Sequence, residues 1–131
     1  MKEYQEPVYR YLTLCGYAQR PAWFQGTGYR IGWAFSTRLY TMTWRQKNNV
    51  LLVCDIQGTQ NQQGLESASG ALILLWKKIL QDVDEINEIH GLPGEYGSER
   101  ENQHRRKMKA LLIRQGAREI DVDGDAWLAF P

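Results

Sequence analysis

The sequence is poor in the residues that build chemical centres. Its 131 residues include two cysteines, Cys15 and Cys54, and two histidines, His90 and His104, in no Cys-x-x-Cys pair and no zinc-ligand spacing. Both cysteines have apolar neighbours, in Leu12-Thr13-Leu14-Cys15 and Leu51-Leu52-Val53-Cys54. Buried thiols are therefore expected in preference to a disulfide, with no adjacent cation to lower their pKa. An excess of one charge is also missing. The formal net charge is +1, so no whole-molecule field draws the chain onto nucleic acid or an acidic membrane. No apolar run approaches the ~20 residues that span a bilayer. Met1–Pro7 lacks the apolar stretch of a signal peptide, so neither a helical anchor nor a cleavable export signal is expected.

What the chain does have is a globular balance, 43% hydrophobic and 24% charged, outside the range of disordered sequences. A single domain over residues 1–131 is expected, of the α+β class. Val8, Tyr11, Leu12 and Cys15 recur at helical spacing after Pro7 and stop at Gly16, which predicts an N-terminal helix over about 5–15. Aromatic and β-branched clusters over 29–35, 39–45 and 50–55, with Lys47-Asn48-Asn49 as a turn, predict a three-stranded antiparallel meander. After a Gln-rich break, Ala68, Leu72, Leu75, Trp76, Ile79, Leu80 and Val83 form the stripe of a long apolar helix over 65–86. A short strand over 86–92 follows. Ser98 with Glu101 fits a capping box that opens a basic helix ending at Gly116. Asp123-Gly124 then supplies the positive φ angles of a type I′ turn between two strands, a C-terminal hairpin.

The motifs that invite a chemical reading fail on spacing. Gly26-x-Gly28-x-x-x-Gly32 has Ile31 where a dinucleotide loop needs glycine, and strands follow it. Asp121-x-Asp123-Gly124-Asp125 begins like a calcium loop but places its glycine fourth, not sixth, and reads better as turn chemistry. Asp82, Asp84, Glu85 and Glu88 follow a helix end, where solvated charge is ordinary. No catalytic residue, cofactor site or metal site is expected. The features with weight for binding are Trp23 and Phe24 beside the glycine-rich stretch, and Ile73 and Leu74, which lie off the stripe of the long helix and widen its apolar surface. To these are added Arg105, Arg106 and Lys109, read as one basic helical face turned away from Met108, Leu111 and Leu112.

Taken in order, these segments resemble a known family. Tyr9-Arg10-Tyr11-Leu12, Arg20-Pro21-Ala22-Trp23, the Tyr40–Trp44 and Val50–Asp55 strands, the Leu-rich helix, Arg105-Arg106-Lys107-Met108 with Gly116-Ala117, and Asp123-Gly124-Asp125-Ala126-Trp127 look like the small type III secretion accessory proteins of the SseE and LcrR kind. The ending of the chain is the most specific part of the likeness. The resemblance implies a cytoplasmic bacterial chaperone or regulator with a chaperone-like α+β layout and no catalytic residues to carry over. Its partner would be a translocator or needle-tip protein or a sister chaperone, in a heterodimer; a homodimer through the long helix would hide the same apolar surface equally well. Two other classes stay open. One is an acetyltransferase-like enzyme, although the Gln57-Gly58-Thr59-Gln60 to Gln63-Gly64 loop lacks the Arg/Gln-x-x-Gly-x-Gly/Ala pyrophosphate cradle. The other is a nucleic-acid-binding regulator using Arg105, Arg106 and Lys109, disfavoured by the near-neutral charge.

Overall fold

Proline at the first helical position and glycine just past the last delimit the first element. Helix α1 spans Pro7–Leu14 and buries Val8 and Leu12. It closes with Gly16 at φ +97°, where the Gly16 N–H donates to the Thr13 carbonyl and the Tyr17 N–H to the Leu12 carbonyl. This paired closure satisfies two carbonyls the helix leaves over. It also turns Cys15 to solvent: that thiol is exposed, contrary to the buried position expected from its apolar neighbours.

The computed structural model describes residues 6–23, 28, 30–58, 64–91 and 98–131, without the side chains of 64–68 and 101. After α1 come strands β1 (Arg20–Trp23), β2 (Arg30–Ser36), β3 (Tyr40–Lys47) and β4 (Val50–Gly58). Helix α2 (Gly64–Asp82), strand β5 (Glu88–Gly91), helix α3 (Glu99–Arg114) and strands β6 (Arg118–Val122) and β7 (Asp125–Phe130) complete the order. The α+β class is thus observed, with a larger sheet than a three-stranded meander and a separate hairpin. Among the described residues seven strands form one sheet in the order β1-β2-β3-β4-β5-β7-β6. The extra strand β1 pairs antiparallel with β2 and breaks register between Ala22 and Trp23. Pro21 and that irregularity hide it from a search for alternating residues.

Among the described strands only β4 and β5 are parallel, joined through α2; β5 pairs antiparallel with β7, and β7 with β6. Helix α2 ends at Asp82 instead of continuing to Ile86, and the Asn87 N–H donates to the Asn49 carbonyl just before β5 begins. The helices meet the sheet through Phe35, Met42, Trp44, Leu51, Val53, Ile56, Ile89, Leu128 and Phe130, which join Leu72, Trp76, Ile79, Met108 and Leu112 in one buried cluster. Between β3 and β4 the register shifts so that Thr43 faces Asp55 and Trp44 faces Val53. Cys54 is the additional residue of this bulge. Gly32 is required where β2 passes β3, because a β-carbon there would collide with the Trp44 carbonyl oxygen.

Candidate functional site

Alternation along a strand sends successive side chains to opposite faces. On β3 and β4 the residues Met42, Trp44, Leu51 and Val53 go to the helices, so Arg45, Lys47, Val50 and Leu52 go to the other face. There they meet His90 of β5 and Trp127 of β7. Together with Cys54, Val122, Asp123 and Asp125 these side chains line a groove of about 390 Å³. Its floor is apolar, built from Val50, Leu52, Cys54 and Trp127. One rim carries Arg45 and Lys47; the other carries Asp123 and Asp125 at the hairpin turn.

The run Val50-Leu51-Leu52-Val53-Cys54 is apolar on both faces of the sheet, the pattern of a strand covered on both sides. Among the described residues only the helix side is covered. Leu52 and Cys54 remain half-exposed while Leu51 and Val53 are fully buried. This double-sided run is the sequence signal for the groove.

Three polar side chains of this face, Glu88, His90 and Arg118, are spent on one another. Glu88 accepts a hydrogen bond from the Arg118 guanidinium and lies 3.2 Å from His90 Nε2. Arg118, then His90, hold the Glu88 carboxyl below the usual carboxylate range. The Cys54 thiol points at the Leu52 carbonyl oxygen at 3.9 Å, and burial pushes its pKa up. Cys54 and His90 thus share a groove, but the raised thiol pKa is the reverse of what a nucleophilic cysteine needs. No cluster of three or more His, Cys, Asp or Glu that would hold a metal occurs among the described residues.

The residues that the sequence singles out for binding are not brought together. Trp23 is half-exposed at the end of β1 and Leu74 is exposed on α2, whereas Ile73 is buried, so of the two residues expected to widen the apolar surface of that helix Leu74 alone does so. Phe24 lies outside the described residues. The basic face also dissolves. Arg105 is 3% exposed, donates to Asn102 Oδ1 at 3.1 Å and lies 3.9 Å from Asp55. Arg106 is exposed and pairs with Glu99 at 3.1 Å, and Lys109 pairs with Glu119 at 3.0 Å. The spacing itself contains the correction: Asn102, Arg105, Met108 and Leu112 recur at helical intervals, and all four are buried.

Residues 5–95 match the family model of the type III secretion system regulator LcrR. That span runs from α1 through β5, so α3 and the β6–β7 hairpin, which carry the most distinctive part of the resemblance noted above, lie beyond it. No curated protein and no solved structure matches the chain. No helix among the described residues is long and apolar enough to cross a membrane. With more than half of its length matched, the chain belongs to the LcrR family of type III secretion system regulators.

Proposed function

We propose that this regulator acts by binding and not by catalysis, holding another component of the secretion system in the bacterial cytoplasm. The partner class is a translocator or needle-tip protein before export, or a sister chaperone. The observation that carries this reading is the uncovered face of β4. A strand with apolar side chains on both sides places Leu52, Cys54 and Val50 in a groove with Trp127, and half-covered apolar surface of this kind favours association. The charged rims, Arg45 and Lys47 facing Asp123 and Asp125, add orientation more than affinity.

The test is co-expression with translocator and needle-tip components, followed by size-exclusion chromatography. A stoichiometric complex is expected with one of them. Leu52→Asp, which charges the floor without touching the helix-side core, weakens that complex at least about tenfold, the scale of one central interface residue, at unchanged melting temperature. Elution of the wild-type chain alone with every component, or equal binding by Leu52→Asp, overturns the reading.

A further inference from the structure

The sheet has two edges, and they differ. Strand β1 carries Pro21, which has no N–H to offer, and a register break at its end; both features blunt an edge against pairing. Strand β6 carries neither, and no strand among the described residues lies outside it. Val122 and Asp125 flank the two-residue turn of the hairpin. In such a hairpin the flanking pair exchanges both backbone bonds, and the pattern alternates from there. Arg118, Ile120 and Val122 therefore bond inward to β7. The outward N–H and C=O groups belong to Glu119 and Asp121.

The side chains of this edge are sorted by face. Glu119 lies on the helix side, where it meets Lys109, and Asp121 follows it by alternation. Ile120 and Val122 lie on the groove side, opposite Trp127 and Asp125, and Val122 lines the groove. Asp121, Asp123 and Asp125 are exposed, and no ion pair joins any of them to a cation among the described residues.

We propose that the outer edge of β6 takes up an extended segment of the partner protein as an eighth strand, a segment in which basic and apolar side chains alternate. This rests on reading the chain as a regulator that binds another secretion component. Basic side chains of the added strand fall beside Glu119 and Asp121, while its apolar side chains prolong the strip formed by Ile120, Val122, Trp127 and Leu52. Backbone bonds supply the affinity and the alternation supplies the choice of partner. A second copy of the chain is the wrong occupant. A two-fold axis normal to the sheet pairs β6 with itself antiparallel, and directly opposed residues share a face. Each register that pairs three or more residues of β6 sets Glu119 or Asp121 of one copy against Glu119 or Asp121 of the other.

The experiment uses the full chain and short soluble peptides of alternating lysine and valine, with alternating glutamate and valine as the control. Calorimetry is expected to give about fivefold tighter binding of the basic peptide, the sum of the two cross-strand charge pairs at Glu119 and Asp121. Amide exchange is expected to slow at Glu119 and Asp121. Glu119→Pro, which removes an outward N–H, abolishes binding. Glu119→Lys with Asp121→Asn, which keeps an acceptor for the Gly124 N–H, erases the preference between the two peptides. The proposal is overturned if the basic peptide protects neither amide, if the preference survives the charge change, or if light scattering finds a dimer that Glu119→Pro dissolves. A complex with a secretion component that Leu52→Asp breaks but Glu119→Pro leaves intact overturns the edge site and spares the regulator reading. Peptide binding at β6 without any such complex does the reverse.

Discussion

Trp44 and Trp76 are both fully buried, yet their indole N–H groups fare differently. The Trp44 Nε1–H donates to Gln19 Oε1 at 2.8 Å, whereas the buried Trp76 Nε1 has no hydrogen-bond partner among the described residues. Replacement by phenylalanine leaves a similar void at either place, but only at Trp44 does it also break a bond and strand an acceptor. Trp44→Phe is expected to cost about 1 kcal/mol more than Trp76→Phe, measured by urea unfolding; equal losses would contradict this assignment. Glu88 gives a second prediction at this scale. Its carboxyl is held below the usual range by Arg118 and His90, so the ionised form is favoured in the folded state. The stability it contributes is complete above the unfolded carboxylate pKa of about 4.3 and is lost as pH falls through the lower folded value. Glu88→Gln should flatten the fall of the urea midpoint below about pH 4.3 relative to the wild type; parallel curves would remove Glu88 from acid unfolding. Both partners are partly exposed, so solvent screens the pair and its share is modest.

At the scale of elements, α3 separates what its charge pattern suggests from what its packing requires. The basic residues look alike in sequence, but Arg105 sits on the stripe with Asn102, Met108 and Leu112, while Arg106 and Lys109 reach Glu99 and Glu119 on the surface. Arg105→Ala is expected to lower stability by about 2–4 kcal/mol, since it empties a buried site and removes a charge-assisted bond to Asn102. Arg106→Ala and Lys109→Ala are each expected within about 1 kcal/mol of wild type, the range of surface ion pairs. Thermal melts of the three variants check the ranking, and an unchanged Arg105→Ala would restore the solvated face. Local signals were otherwise reliable for this element. Gly116, at φ +108°, ends it as the sequence predicts, with the Gly116 N–H bonded to the Ile113 carbonyl and the Ala117 N–H to the Leu112 carbonyl. The hairpin was equally legible, because Asp123 and Gly124 both adopt the positive φ angles its turn needs.

For the whole molecule, the decisive feature is that the C-terminal strands complete a sheet begun far earlier. Strand β7 lies between β5 and β6, and Phe130 packs against Trp76 with ring centroids 6.1 Å apart. A chain ended at Gly97 keeps the family-matched span but loses Met108, Leu112, Leu128 and Phe130 from the core and strips β5 of its antiparallel partner. Such a chain is expected to unfold without a cooperative transition, seen as a broad thermal melt by circular dichroism. A sharp transition near that of the full chain would mean that residues 5–95 carry their own core.

The sequence by itself determined the features that depend on neighbours along the chain. These are the helix ends at Gly16 and Gly116 and the turns at Asn48-Asn49 and Asp123-Gly124. Tertiary structure alone decided which strands lie side by side, why β1 joins the sheet despite Pro21, and which face of β4 stays uncovered. It also decided that Arg105 turns inward and that Ile73 is buried while Leu74 is not. The physical reason is the same in each case. A turn or a cap is settled by the φ angles and backbone bonds of a few adjacent residues, whereas burial and strand order depend on contacts between segments far apart in sequence, which local pattern does not encode.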